Sequence, residues 1–226
     1  MEESTAQDNR PTVAHNMVLV HLAASRFLPG HINPDFLRFN EIVDPAWQVE
    51  LPVIIEAGFS QVAYSNGISV SAGEDHFRVA QSGQPLSLEE ISVSDVFSRY
   101  LAVTPWLAEC KAIVTEWQGS LSVSGESAEP TSSPIYDLGK RANFSDIVPE
   151  IQVRVSYDFA DRNIALFVSE TKVDNLITEI QCRALVFRNM ESLPAEGQGE
   201  FIRSVLGRLD EDINGFVELV TQFYFG

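Results

Sequence analysis

Between residues 151 and 159 the chain alternates without a break, Ile151, Val153, Val155, Tyr157 and Phe159 against Gln152, Arg154, Ser156 and Asp158. A period of two sends successive side chains to opposite sides of an extended backbone, so this is a strand with one apolar and one wet face. Such a strand does not belong in a parallel sheet covered by helices on both sides; it demands an antiparallel sheet with one face left to solvent. Asp161-Arg162-Asn163 then turns the chain into a second strand over 164–173, and Asp174-Asn175 turns it into a third over 176–187. Three strands joined by turns this short form a meander.

The first part of the chain reads the same way. A strand is expected over 13–24. A segment over 26–52 follows whose Pro29, Pro34, Pro45 and Pro52 forbid a long helix, while Phe27, Phe36, Phe39 and Trp47 give it material to lie on a core. Runs at 60–65 and 68–72 flank Asn66-Gly67, a pair at ease with positive φ, which predicts a type I′ hairpin. Gly73-Glu74-Asp75 leads into a third strand at 76–81. Ser87-Leu88-Glu89-Glu90 has the form of a capping box and predicts a helix over 87–104. Its apolar face would carry Ile91, Val93, Phe97, Tyr100 and Leu101, and Pro105 would stop it. A strand over 109–123 comes next. Beyond Pro194 a stripe from Phe201 through Val205, Leu209, Ile213, Phe216 and Val220 predicts one long helix near 200–224.

The fold class is therefore α+β: two antiparallel meanders, as separate sheets or one extended sheet, each followed by an amphipathic helix packed on one sheet face. The expected organisation is a disordered polar N-terminus at 1–12, an α+β half at 13–123, a flexible linker at 124–134 and a second α+β half at 135–226. The linker carries no apolar residue larger than Ala. Because the halves repeat the order meander, break, helix, a duplication is conceivable, with Phe77-Arg78-Val79 laid beside Ala184-Leu185-Val186. It requires the two helices to share a layer.

Charge narrows the partners. The 226 residues hold 32 acids against 15 Lys and Arg, a net charge of -17, split almost evenly as -9 over 1–123 and -8 over 124–226. Neither half is a basic module, so nucleic acid and anionic membrane surfaces are not expected partners. The opening residues lack the charged and apolar regions of a secretory signal, and the two cysteines are too few for a disulfide scaffold; a cytoplasmic location with reduced thiols is expected.

Motifs for chemistry are absent. No phosphate-cradling glycine loop or nucleophile elbow occurs, and no cofactor is expected. His15 and His21 would face the same side of an unbroken first strand but lie ~20 Å apart, too far to share an ion, and no metal site is expected. Cys182 alternates in phase with Ile180, Ala184 and Val186 and reads as an inert core thiol; Cys110, beside Glu109 and Lys111, reads the same way with less support. Asp210-Glu211-Asp212 reads as a solvated helix face.

Two surfaces remain as candidates. Aromatics at element boundaries and at the chain end, namely Phe27, Phe36, Phe39, Trp47, Trp106, Phe223, Tyr224 and Phe225, are candidates for a protein interface, because aromatic side chains dominate binding hot spots. Arg154, Asp158, Glu170, Lys172, Glu179 and Arg183 are candidates for a polar sheet face that holds a ligand or a subunit. The expected role is a non-catalytic protein-binding module of the adaptor, chaperone-like or inhibitory-subunit kind, with a protein partner or self-association. The alternative is an enzyme that uses histidine and carboxylate groups in a cleft beside the 26–52 segment.

Overall fold

The computed structural model describes residues 12–25, 27–104, 110–122, 152–173 and 176–225. The expected disordered terminus, but for Thr12, and the expected linker at 124–134 lie outside these residues, as does Trp106. The strands are β1 (Thr12–Ala24), β2 (Val49–Ile55), β3 (Phe59–Tyr64), β4 (Ile68–Gly73), β5 (His76–Leu86), β6 (Cys110–Ser122), β7 (Gln152–Asp158), β8 (Asn163–Val173) and β9 (Leu176–Asn189). The helices are α1 (Pro34–Phe39), α2 (Val93–Val103), α3 (Ala195–Leu206) and α4 (Leu209–Phe225). None of the described helices is long and apolar enough to cross a membrane.

The α+β class holds, but the two meanders are not separate sheets. All nine described strands form one antiparallel sheet in the order β2-β3-β4-β5-β1-β6-β9-β8-β7. The join is the pairing of the two 13-residue strands β1 and β6 in the middle of the sheet.

Around that join the halves repeat. Outward from Leu19 the opposed residues are Ala80, Ser69 and Ala63; outward from Glu116, which lies opposite Leu19, they are Leu185, Ala165 and Ser156. Ala80 and Leu185 are 105 positions apart, as are the buried pairs Phe97 with Ile202 and Tyr100 with Val205 on α2 and α3. The two helices pack on each other, with the Ser94 hydroxyl at the start of α2 donating to the Leu206 carbonyl at the end of α3 (3.2 Å). The connectivity thus has a pseudo-two-fold through the Leu19–Glu116 pair. In this register Phe77 corresponds to Cys182, two residues from the alignment expected with Ala184.

One sheet face carries the core. Val18, Val20, Leu22, Phe77, Val79, Ile113, Trp117, Ala184 and Val186 all point there and are buried. Phe77 stacks on Tyr100 of α2 (3.9 Å between centroids) and Trp117 stacks on Phe216 of α4 (6.5 Å). Over the first half the covering layer is completed by the connection from β1 to β2, which buries Ile32, Leu37, Ile42 and Val43. Its helix, α1, is six residues long: Pro34 opens it, the Asn33 side chain caps it by accepting from the Phe36 amide (2.9 Å), and Glu41 with positive φ (54°) takes the chain out of it.

Three local expectations are corrected. The turn after β3 closes with the Gly67 amide donating to the Tyr64 carbonyl (2.9 Å) and only Gly67 has positive φ (83°), so it is a type I turn ending in a left-handed glycine instead of type I′. The Gly67 carbonyl in turn accepts from Ser82 of β5, and a Cβ at that position would collide with the Ser82 carbonyl. Ser87 makes no side-chain cap: residues Leu88–Glu90 form a 3₁₀ turn and α2 starts at Val93. The C-terminal helix is two helices, broken at Gly207-Arg208.

The acidic run 210–212 is also more than a solvated face. It occupies the first turn of α4, where carboxylates complement the exposed amides. Asp212 further accepts a 2.7 Å hydrogen bond from the guanidinium of Arg188, which is 1% exposed on the core face of β9. The Nε and Nη1 of Arg188 and the hydroxyl of Thr115, two residue pairs along the sheet, have no partner among the described residues. A buried charge held by one carboxylate contributes little net stability as a pair but is costly to leave alone. Asp212→Asn should therefore destabilise the fold by about 3–5 kcal/mol. Adding Arg188→Met to it should recover most of that loss, as measured by urea unfolding of the single and double variants.

Candidate functional site

The opposite face of the sheet carries none of the described helices. By strand register it displays Met17, Leu19, His21 and Ala23 of β1, Val114, Glu116 and Gln118 of β6, Arg183, Leu185 and Phe187 of β9, Ala165 and Phe167 of β8, and Arg154, Ser156 and Asp158 of β7. Leu19 is buried, Val114, Phe167 and Leu185 are half-buried and Phe187 is 42% exposed. Among the described residues, the charged ones on this face are Arg78, Arg154 and Arg183 against Glu50, Glu116, Asp158 and Glu179. That is close to balance in a chain of net charge -17.

Its polar groups form an ordered row across four strands. Glu116 sits at the centre, with only 9% of its side chain exposed, and accepts two hydrogen bonds from Arg183 (Nε at 2.7 Å, Nη2 at 3.1 Å) and one from Gln118 (2.7 Å). A bidentate guanidinium–carboxylate pair is directional, and the Glu116 bond raises the Arg183 pKa. Arg183 and Arg154 both lie over the Phe167 ring, at 5.9 and 5.4 Å from its centroid. Arg154, Asp158, Glu179 and Arg183 therefore do share a face. Glu170 does not: it lies opposite Ile180 in the phase of Leu166 and Val168, while the Lys172 side chain lies outside what the structure describes. The expectation of one six-residue polar face is corrected accordingly.

The aromatic candidates are dispersed. Phe27 is buried (7%) and packs on Phe77, so it belongs to the core. Phe36 is half-buried and stacks on His31; Trp47 is half-buried edge-on to Tyr64 and its carbonyl accepts from Arg38 (2.8 Å). Among the candidates whose side chains are described, Phe39 alone stands out, 88% exposed. Phe223, Tyr224 and Phe225 lie in the last turns of α4. The 26–52 segment thus spends most of its apolar residues inward, because a sheet half without a second helix needs a cover.

The histidines separate. An irregularity between His15 and Met17 rotates His15 onto the core face, where its Nδ1 accepts from the Trp117 indole (3.0 Å). His21 stays on the open face and stacks on His76 (5.4 Å), whose Nδ1 bonds the Asp75 carboxylate (2.7 Å). The expectation that His15 and His21 share a side fails for that reason. No group of three metal-ligating side chains occurs among the described residues. Both thiols are buried; burial pushes the Cys110 thiol up and that of Cys182 to about 12, so neither ionises near neutrality.

Sequence reasoning missed the Glu116–Arg183 and Arg188–Asp212 pairs and the His21–His76 contact. Glu116 stands between Ile113-Val114 and Trp117, and Arg188 ends the apolar run 184–187; a charge in or at the end of such a run was the available signal. No protein-family model matches the chain, and comparison with the curated proteins finds no match.

Burial lowers the pKa of His15, and burial together with His76 and Arg78 lowers that of His21. Lowered folded-state values mean that the unfolded chain takes up protons first, so stability is complete above about pH 6.5 and declines as the pH falls below it. Urea midpoints compared on the two sides of that value should show the decline. His15→Gln combined with His21→Gln should flatten it.

Proposed function

We propose that the protein is a non-catalytic protein-binding module, of the adaptor, chaperone-like or inhibitory-subunit kind, which holds an apolar segment of another protein on the open face of its sheet. The observation that carries this reading is the combination of Leu19, Val114, Phe167, Leu185 and Phe187 on a face free of the described helices. Charged residues near balance there favour an apolar occupant over a basic one, and Arg154 and Arg183 over Phe167 add a cation–π row beside the apolar residues. The net charge of -17 disfavours nucleic acid and keeps an open apolar face from uncontrolled association. A reduced-thiol, cytoplasmic setting suits the two buried thiols.

The stacked His21 and His76, with Asp75 on one of them, favour a second reading as an acid–base centre. It differs from the first in its dependence on His76.

The test is fluorescence anisotropy with labelled peptides that tile an unfolded model protein. Apolar peptides should bind with little salt dependence, and Phe187→Asp should weaken them by about tenfold, the effect of losing ~1.4 kcal/mol. Binding that follows basic charge and collapses with salt, or that is absent throughout, would sink the open-face reading.

A further inference from the structure

The pseudo-two-fold sets two pairs of hydrogen-bond donors at equivalent places on the open face. It exchanges Leu19 with Glu116, and with them His21 with Gln118 and the residues opposite these, Arg78 with Arg183. In the second half the pair is in use: Arg183 and Gln118 together hold the Glu116 carboxylate, at 2.7 and 3.1 Å from the guanidinium and 2.7 Å from the amide. In the first half the donors recur without the acceptor. Arg78 is exposed and lies opposite His21, the place of Glu116 is taken by Leu19, and Arg78 has no ion-pair partner among the described residues.

The His21 ring is held in place for this role. It stacks on His76 at 5.4 Å, and the Asp75 carboxylate anchors His76 in turn through its Nδ1 (2.7 Å). Burial, with His76 and Arg78 nearby, lowers the His21 pKa, so near neutrality the ring is uncharged and keeps one N–H to donate. A guanidinium fork beside such a donor matches a planar carboxylate, with two parallel bonds from one and a third from the other. Hydrocarbon surrounds the pair: Leu19 is buried, Val114 lies half-buried opposite His21, and the Phe59 ring of β3 sits 6.3 Å from that of His76. The net charge of -17, with Asp75 bonded to His76 and Glu116 opposite Leu19, opposes a dianion more than a monoanion.

We propose that Arg78 and His21 form a binding site for a small monocarboxylic acid with an apolar body, whose carboxylate takes the place beside Arg78 that Glu116 takes beside Arg183. Its apolar body lies along Leu19 and Val114. The site goes beyond the peptide-binding reading and does not rest on it, because a free acid meets the donor pair whether or not a peptide lies on the face.

The experiment is titration of the full chain with sodium benzoate at neutral pH, followed by the NMR signals of the imidazole groups. Those of His21 and His76 should shift and saturate together, while those of His15, bonded to Trp117 on the core face, and of His31, stacked on Phe36, should stay still. Arg78→Gln, a change at an exposed position, should weaken binding by about tenfold, through loss of the charge-assisted pair. His21→Gln installs the residue that serves at the equivalent position and should keep the affinity, read from His76, whereas His21→Leu should lower it. Benzamide, uncharged and of the same shape, should give no saturable shift. No saturable shift with benzoate, undiminished binding by Arg78→Gln, equal shifts with benzamide, or tighter binding of inorganic phosphate than of benzoate would each overturn the proposal.

Discussion

The pairing of β1 with β6 is the contact on which the rest of the molecule depends. It joins residues about 100 positions apart and turns two half-sheets, each too small to bury both a helix and its own edge, into one platform. Because Leu19 and Glu116 are opposed at its centre, the strands that follow β1 and β6 each run inward toward it in the same order, and α2 and α3 are delivered to the same face. The covering layers are then not symmetric. The first half is closed by the proline-rich connection with Ile32, Leu37, Ile42 and Val43, the second by α4 with Ile213, Phe216 and Val220.

That one-sided covering explains the polar groups as much as the apolar ones. On the helix face a guanidinium at Arg188 is out of water and depends on a single carboxylate. On the open face the same type of pair, Glu116 with Arg183, remains partly hydrated and is arrayed with Phe167 and Arg154 across the sheet. The first is a cost the core absorbs; the second orders a surface without closing it.

Much of this was legible. The alternation at 151–159 demanded an antiparallel sheet with one wet face, and the strands at 60–64, 68–72, 76–81 and 164–173 fall where turn residues and β-branched runs place them. Cys182 fell in the buried phase. The failures are local and physical. Ser87 has the sequence of a cap, yet Gln81 of the sheet already binds the Ser92 amide and the Glu90 carbonyl and fixes the start of α2 later. His15 left the face of His21 because one irregular residue reverses the phase of a strand. β2 was hidden because a strand with a proline at an edge reads as loop.

The sequence by itself determined the local periods, the turns, the even acidity and the class of fold, because these follow from side-chain spacing and backbone preference within about ten residues. Only the tertiary structure decided that the meanders share one sheet, that Phe27 is core while Phe187 is surface, and that Glu116 meets Arg183. Each of those depends on pairing strands distant in the chain, and sequence spacing carries no information about which distant strand a given edge will choose.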